Sequence, residues 1–355
     1  MLFFLFALIV LVLLIEKWYL DRALDGIEFD YGPSILLAAP DEKFEIITNI
    51  INRRFKFIPF VKVEGNLPPD LSLHNHPLEI ANKYTGEFKF SFTTFITPHT
   101  WRQRNLLASI SKRGRYLFTS AYLSGGDFLG LNADRQSFNV FNEIVVYPKE
   151  SDALNIQEVM GGFLGDLSVR RFIIEDPVLT AGFREYTGRE PMKAISWTQS
   201  ARTGSIMVKN YDYTVEQSAT VLLNVELEDK FIKENDLNER IENCYSITHT
   251  VCKILEERRI KYDFYTNATT QGALGNWSYI AEGLGKRHFF TILEGLGRSS
   301  YKSREPFAST IKRIGSGERR SLIIISPTER EHVLTYLNKE SAGRALIISP
   351  EERKS

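Results

Sequence analysis

The sequence predicts a chain that combines an all-β domain with an α/β domain, behind a membrane-spanning helix. Three observations predict this fold class: an apolar run at the N-terminus, period-two alternation in the first half, and strands that alternate with helices in the second half. The predicted boundaries are 1–20 for a transmembrane helix, 21–150 for a small β-sandwich and 151–355 for a doubly wound α/β domain. A length of 355 residues is sufficient for two hydrophobic cores.

The N-terminal segment carries an uninterrupted apolar run from Leu2 to Ile15. This run is short for a bilayer, and it equally fits the apolar region of a cleaved signal peptide. No basic residue precedes the run, and no small-residue cleavage pattern follows it. Extension of the helix to residue 20 brings Trp18 and Tyr19 to the depth of the membrane interface, where such side chains are common. The segment therefore favours one transmembrane helix.

Charge and cysteine usage bear on location. Lys17 and Arg22 flank the apolar run on its C-terminal side, and no Lys or Arg lies on the other side. The positive-inside rule then places the bulk of the chain in the cytoplasm, behind a single pass of the cell membrane. Cys244 and Cys252 are the only cysteines. On one predicted helix they lie about 12 Å apart, too far for a disulfide, so they are predicted to be buried thiols.

Period-two alternation predicts strands in the first half. From Phe88 to Thr93, aromatic residues alternate with polar ones, and residues 44–50 repeat the pattern with Phe, Ile, Thr and Ile. Proline and glycine residues break the region into short strands, which favours a small β-sandwich. Because Lys plus Arg and Asp plus Glu balance at 44 each, nucleic acid is not a predicted partner, and the basic cluster at 112–115 is predicted to be a solvated turn.

The second half is predicted to alternate strands with helices. A strand at 220–225 precedes apolar residues at helical spacing between Leu237 and Leu255, and Asp236 is suited to cap that helix. Further strands are predicted near 261–266, 322–326 and 345–349, and further helices near 287–296, 307–314 and 328–337. Such alternation predicts a mainly parallel sheet covered by helices, and periodicity alone does not distinguish among the doubly wound folds.

One segment, residues 183–213, reads FREYTGREPMKAISWTQSARTGSIMVKNYDY. Its residues follow roughly the frame R-x-Y-x-x-G-D-x-x-(R/K)-x-I-x-W-x-x-(S/T)-A-R-x-G-x-(L/M)-x-V-(K/R), with Gly188 one position earlier than the first glycine of the frame and with Arg189 directly after it, where the family usually has Asp. The segment resembles the core motif of the bacterial domain-of-unknown-function 58 family. Residues 113–131 also resemble the segment that precedes this motif in the family, so the resemblance covers most of residues 85–230.

The resemblance implies a fold like the von Willebrand factor type A domain for the α/β half, with a degenerate metal site. Members of the family are often encoded beside a MoxR-type AAA+ ATPase and a transglutaminase-like membrane protein. The resemblance therefore implies a membrane-anchored, non-enzymatic scaffold that binds other proteins, with these two proteins as partners and with a role in assembly or envelope maintenance. No cofactor is predicted.

The candidate binding residues lie in this signature segment, and two interpretations of them stay open. In one, the aromatic side chains pack in a core or at a domain junction while the basic side chains bond buried carbonyls or carboxylates. In the other, they form a binding groove, because Trp, Tyr and Arg dominate interface hot spots. The interaction candidates are Arg184, Tyr186, Trp197, Arg202 and Lys209.

A divalent-metal site is the alternative hypothesis. Type A domains often bind Mg²⁺ through an Asp-x-Ser-x-Ser motif at the end of the first strand, where this chain has Asn224, Glu226 and Glu228. These three side chains share one strand face by period-two spacing, and hard cations prefer oxygen ligands. The alternative function is thus a metal-dependent ligand-binding or hydrolytic protein. In the simpler interpretation, the two glutamates are solvated at a strand end.

Overall fold

The computed structural model describes most of the chain from residue 24 onward. The described residues are 3–4, 6–8, 10–11, 14, 24–77, 79–82, 87–126, 133–152, 154–169, 175–213, 218–227, 234–272, 277–314 and 321–350. Within them, two larger β-sheets form the first half of the chain. A two-stranded ribbon, a five-stranded sheet and several helices follow in the second half.

The strands of the first half follow the period-two pattern. Their bounds are β1 (Ile27–Pro33), β2 (Leu37–Ala38), β3 (Phe44–Asn52), β4 (Ile58–Leu67), β5 (Leu71–Leu73), β6 (Glu79–Asn82), β7 (Glu87–Ile96), β8 (Trp101–Ile110), β9 (Gly114–Gly126) and β10 (Ala133–Val146). In β3 the side chains of Phe44, Ile46, Thr48 and Ile50 are buried, while the residues that alternate with them are partly or fully exposed. One face of the strand therefore belongs to the core, as alternation requires.

These strands form a β-sandwich, in agreement with the pattern of residues 21–150. One sheet has the strand order β1-β3-β8-β5, and the other has the order β2-β10-β9-β4-β7-β6. Their buried side chains form one continuous cluster. At its centre the ring of Tyr31 lies 5.9 Å from that of Phe90 and 5.8 Å from that of Phe118, both in edge-on contact. Such edge-on contacts are favourable for aromatic rings.

The second half mixes helices and strands. The elements are α1 (Leu154–Val169), β11 (Glu175–Glu185), a 3₁₀ turn (Met192–Ala194), α2 (Trp197–Thr203), β12 (Met207–Tyr213), β13 (Ser218–Leu223), α3 (Glu234–Glu257), β14 (Lys261–Thr266), β15 (Ala268–Thr270), β16 (Tyr279–Gly283), α4 (Lys286–Arg298), β17 (Ser299–Ser303), α5 (Phe307–Ile314), β18 (Ser321–Ile325), α6 (Arg330–Thr335), α7 (Lys339–Ala342) and β19 (Ala345–Ile348). The five-stranded sheet has the order β16-β14-β13-β18-β19. Its strands run parallel except β16.

Helix α3 contributes most of the helical part of the second core. Its buried residues include Ile241, Tyr245 and Val251, which pack with the five-stranded sheet in one cluster. Cys244 and Cys252 lie on the same helix as free, buried thiols, so the prediction made for them is confirmed. Burial raises the pKa of both thiols, because the charged thiolate is poorly solvated there.

The predicted membrane span is wrong. Among the described residues, no helix is long and apolar enough to cross a membrane. Residues 1–2, 5, 9, 12–13 and 15–20 of the predicted span lie outside the described residues. The predicted single-pass location in the cell membrane, with the bulk of the chain in the cytoplasm, depended on this span and is also wrong.

The predicted fold class is also wrong as a whole. Strands, rather than helices, make up most of the regular structure in the described residues. The sequence predicted a transmembrane helix, a small β-sandwich and a von Willebrand factor type A-like doubly wound domain with a degenerate metal site. The first-half sandwich and the strand pairs β11–β12 and β15–β17 shift the balance to β-structure.

The two halves meet around Arg113, whose side chain is 3% exposed. Its Nε donates to the Glu242 carboxylate at 3.0 Å, and its Nη1 donates to the carbonyl oxygens of Leu296 and Ser299, each at 2.6 Å. The basic cluster that contains Arg113 was predicted to be solvated. That prediction is wrong for Arg113, because its partners lie 129 to 186 positions later in the chain and no local pattern reveals them.

A second set of contacts joins β10 to α4. Glu143 accepts hydrogen bonds from Arg298 and Arg115, each at 2.6 Å, and these bonds, that of Arg298 first, lower the pKa of its carboxyl group. Gly297 lies against β10 so closely that a Cβ atom there would stand 2.5 Å from Val145 Cγ1 and 2.8 Å from the Val146 carbonyl oxygen. The close approach of helix and strand therefore requires glycine at 297.

Candidate interaction surface

The signature segment folds into a small unit, which we call the arm and define as residues 183–209. It consists of the paired ends of β11 and β12 and the connection between them, which contains the 3₁₀ turn and α2. In the ribbon, Phe183 pairs with Lys209, and Glu185 pairs with Met207. Residues directly opposite each other lie on the same face. One face of the ribbon thus carries Phe183, Glu185, Met207 and Lys209.

The other face of the ribbon is covered by the connection. Val208, Ala194 and Ile195 are buried together, and Tyr186 packs against them. This cluster is separate from the cores of the two halves. An isolated two-stranded ribbon is marginally stable. The covering segment therefore gives the arm a small core of its own.

The loop after β11 is closed by Glu190. Its carboxylate accepts hydrogen bonds from the backbone N–H of Thr187 at 3.1 Å, from the Thr187 hydroxyl at 2.8 Å and from Arg184 at 2.5 Å. Gly188 within this loop has φ 86°, a left-handed conformation that favours glycine. The carboxylate that orders this loop therefore belongs to the residue directly after Arg189.

Helix α2 is fastened to β12 through Ser200. Its hydroxyl donates to the carbonyl oxygen of Ser196 at 2.8 Å and accepts from the backbone N–H of Met207 at 2.8 Å. Gly204 ends the helix in the left-handed conformation, with φ 74°, and its N–H bonds the carbonyl oxygen of Ser200, which is a common helix terminus. These contacts explain why a serine and a glycine occupy these positions of the motif.

The outside of the arm exposes large apolar side chains. The exposed fractions are 70% for Met192, 64% for Trp197, 48% for Ile206 and 44% for Phe183. Single exposed apolar side chains are ordinary on protein surfaces, whereas several on one small unit are typical of interaction sites. The arm therefore has the composition of a binding surface.

Basic side chains surround these apolar groups. Arg189, Lys193, Arg202 and Lys209 are exposed, and within the described part of the chain none of the four forms an ion pair. Arg184 is paired with Glu190 while 51% of its side chain stays exposed. Among the described residues, Arg202 and Lys209 therefore bond no carbonyl or carboxylate, whereas Arg184 bonds the Glu190 carboxylate, which is 12% exposed, as one of the two interpretations expects.

The structure thus brings the five interaction candidates into one unit in different roles. Tyr186 packs in the small core and Arg184 braces the loop, whereas Trp197, Arg202 and Lys209 project outward. Met192 and Ile206 were not among the candidates predicted from sequence. Their exposure depends on the path of the segment that connects β11 to β12. Their position between motif residues in an otherwise polar stretch was the available signal.

We expect Glu190 to titrate with a midpoint near pH 2. Its hydrogen bonds, that from the Thr187 hydroxyl first, lower the pKa of its carboxyl group from 4.5 to about 2. Because the folded-state pKa is lowered, these bonds stabilise the loop fully above pH 4.5 and are lost as the pH falls toward 2. Carboxyl-detected NMR titration measures this midpoint. Thr187→Val should move it upward toward 4.5, and a midpoint near 4.5 in the unaltered protein would contradict the loop geometry.

The candidate metal residues lie at the carboxyl ends of the parallel strands. Asn224, 2% exposed, donates through Nδ2 to Ser326 Oγ at 3.0 Å and to the carbonyl oxygen of Glu226 at 3.1 Å. Its Oδ1 accepts from Asn267 Nδ2 at 2.7 Å and from the Glu226 N–H at 2.9 Å. All four hydrogen-bonding positions of the amide are therefore used within the protein.

Glu226 is likewise engaged. Its Oε2 accepts a hydrogen bond of 2.5 Å from the backbone N–H of Phe307, at the start of α5, where a carboxylate is favoured by the helix dipole. Glu228 lies outside the described residues. Among the described residues, no three side chains of His, Cys, Asp or Glu lie close enough together to hold a metal ion. Asn224 thus belongs to an uncharged hydrogen-bond network, and Glu226 caps the start of α5.

Comparison with known proteins gives no family assignment. No family model matches the chain, and no curated protein matches it. Among solved structures, it is similar to a non-cellulosomal cohesin from the hyperthermophilic archaeon Archaeoglobus fulgidus, with 10% identity, a TM-score of 0.24, and coverage of 34% of this chain and 91% of that one. A CARDB domain from Pyrococcus furiosus, solved in complex with di-metal ions, has 11% identity, a TM-score of 0.22, and coverage of 34% and 94%.

A third similar structure is the cohesin of a type I cohesin–dockerin complex from Clostridium thermocellum, with 10% identity, a TM-score of 0.23, and coverage of 34% of this chain and 99% of that one. The predicted von Willebrand factor type A-like fold class is contradicted by the structure itself, since strands make up most of the regular structure in the described residues. No comparison bears on a MoxR-type ATPase, on a transglutaminase-like protein or on the motif resemblance.

Proposed function

We propose that this protein is a protein-interaction scaffold and that the arm is its binding surface. The observation that carries the proposal is Trp197, which is 64% exposed at the start of α2. Exposure of an apolar ring to water is unfavourable. A partner that covers the ring removes this apolar surface from water, which favours binding. Full burial of a large apolar side chain contributes about 1.5–3 kcal/mol.

The arm is organised before a partner arrives, which supports this role. The Ser200 hydroxyl bonds both Ser196 and Met207, and Glu190 holds the preceding loop. Trp197 therefore stands on a helix that is already fixed to its ribbon. Preorganisation of this kind lowers the entropy that binding must overcome. A large aromatic ring on such a support, next to arginines, has the composition of an interface hot spot.

The motif resemblance supports a more specific form of the proposal. If the chain belongs with the domain-of-unknown-function 58 family, a MoxR-type AAA+ ATPase is the first partner to test, with a transglutaminase-like protein second. The role would lie in assembly or envelope maintenance, and the protein itself would not be an enzyme. The metal-dependent alternative receives no support from Asn224 and Glu226, since both side chains are engaged within the protein.

The test is affinity purification of the full chain from its native source, followed by quantitative mass spectrometry. Trp197→Ala is expected to deplete a defined partner at least tenfold, since loss of about 1.4 kcal/mol lowers an equilibrium constant tenfold. Trp101→Ala is the matched control, because Trp101 is 61% exposed but lies on β8 of the sandwich, away from the arm. The same depletion in both variants, or in neither, would contradict the proposal.

A further inference from the structure

The arm differs in net charge from the chain as a whole. Residues 183–209 contain five basic residues and two acidic ones, a net charge of +3, whereas the full chain has a formal net charge of zero. The five basic residues are Arg184, Arg189, Lys193, Arg202 and Lys209, and the two acidic ones are Glu185 and Glu190. The other acidic residues of the ribbon, at 175, 176 and 212, belong to its proximal end. The positive charge is therefore concentrated at the exposed end.

The positive charge of the arm resides on four side chains without an ion-pair partner in the part of the chain that the structure describes. Glu190 is used to hold Arg184 and the Thr187 amide, so that carboxylate and that guanidinium largely neutralise each other. Arg189, Lys193, Arg202 and Lys209 have no ion-pair partner among the described residues. Glu185 is thus the one remaining carboxylate of the arm to balance these four positive charges. An unneutralised field of this kind attracts and orients groups of opposite sign.

The positive charges flank apolar side chains and do not form a continuous basic stripe. Lys193 follows the 70% exposed Met192, and Lys209 lies opposite Phe183 across the ribbon. Trp197 begins the helix whose last turn holds Arg202. A ligand that covers Met192 and Trp197 on the connection needs apolar groups against these two side chains, and acidic groups to pair with Lys193 and Arg202. Methionine is a flexible side chain that adapts to varied apolar partners.

We propose that the arm recognises an acidic amphipathic protein segment, in which an aromatic or branched apolar anchor is flanked by Asp and Glu residues. This inference rests on the proposed function and names the chemistry of the partner. Nucleic acid is the other class of anionic polymer that a basic surface attracts. The arm suits it less, since it exposes Met192 and Ile206, which offer no stacking surface for bases, and since the chain carries no net positive charge.

The test uses a phage-displayed library of random 12-residue peptides, selected in parallel on the purified full chain and on its Trp197→Ala variant. Peptides that require Trp197 are expected to be enriched in Asp and Glu beside an apolar anchor. The strongest is then synthesised together with a version in which Asn and Gln replace Asp and Glu. We expect the neutral version to bind at least tenfold more weakly, and the affinity of the acidic one to fall several-fold between 50 and 500 mM salt because of ionic screening.

The outcomes separate this inference from the proposed function. Trp197-dependent peptides without acidic enrichment, or with a neutral version that binds equally well, would overturn the inference and leave the arm as a binding surface. An absence of Trp197-dependent peptides would overturn both. A single-stranded oligodeoxythymidine that binds in a Trp197-dependent manner at 150 mM salt would replace the acidic segment by nucleic acid. Arg202→Glu with Lys209→Glu should abolish acidic selection, whereas Arg135→Glu, on the sandwich, should not.

Discussion

Arg113→Met is expected to lower the free energy of unfolding by about 3 kcal/mol, since removal of one partner from a buried ion pair costs roughly 3–5 kcal/mol. The lower end applies because the Glu242 side chain is 33% exposed and recovers part of its hydration. The substitution also removes the donor for the carbonyl oxygens of Leu296 and Ser299. It takes away the cation that lies 3.5 Å from the centre of the Tyr245 ring.

Urea-induced unfolding, followed by circular dichroism, measures this change as a lower midpoint. Arg53→Met is the matched control, since Arg53 also bonds a glutamate, Glu28, but is 68% exposed. Its midpoint should stay within error of the unaltered protein, because exposed pairs contribute little. Equal midpoints for the two variants would show that Arg113 does not hold the two halves together.

Asn224→Ala is expected to lower the free energy of unfolding by about 3 kcal/mol, because each buried polar group left without a partner costs about 1–3 kcal/mol. The substitution deprives Asn267 Nδ2 and the Glu226 N–H of their acceptor. It also removes the donor to Ser326 Oγ. The network joins the ends of β13 and β18 with the start of the loop after β14, so the loss should be cooperative.

The same urea experiment tests this prediction, with Asn105→Ala as the control. Asn105 is exposed and donates to Glu45 at 2.8 Å, and its loss should leave the midpoint unchanged. Added Mg²⁺, Mn²⁺ or Ca²⁺ should not raise the midpoint of the unaltered protein, because an ion that bound the native state would stabilise it. A rise that Asn224→Ala abolishes would restore the metal site.

Sequence periodicity was sufficient to predict the elements in which one face is buried and the other face is exposed. The alternation at residues 44–50 and 88–93 corresponds to β3 and β7, and the helical spacing between 237 and 255 corresponds to α3. Predicted strands at 261–266 and 345–349 also appear as β14 and β19. These elements are specified by periodicity, because the buried side chains lie within the element itself.

Pattern was insufficient where burial depends on distant residues. Arg113 lies in a basic cluster that is typical of a solvated turn, yet its partners come from α3, α4 and β17. Within the signature segment, sequence indicated which residue types matter, but it could not separate the buried Val208 from the exposed Ile206 two positions earlier. That difference follows from the pairing of β11 with β12 and from the segment that covers one face.

The N-terminal run and the type A fold show a different limit. A short apolar run is compatible with several fates, and apolar character alone did not select among them. The motif resemblance carried with it a fold for the whole second half. The structure instead has most of its regular structure in strands, including the two sheets of the sandwich. A motif of about thirty residues informs on the arm and does not extend to the architecture around it.

Site-specific photocrosslinking in the native cell tests the binding role of the arm most directly. A photoreactive phenylalanine analogue is placed at position 197 in one strain and at position 101 in another, and the products are compared after illumination. The account predicts a discrete crosslinked protein from position 197 that is absent from position 101, since both positions are equally exposed. No product at 197, or the same products at both positions, would contradict the assignment of the arm as the interaction surface.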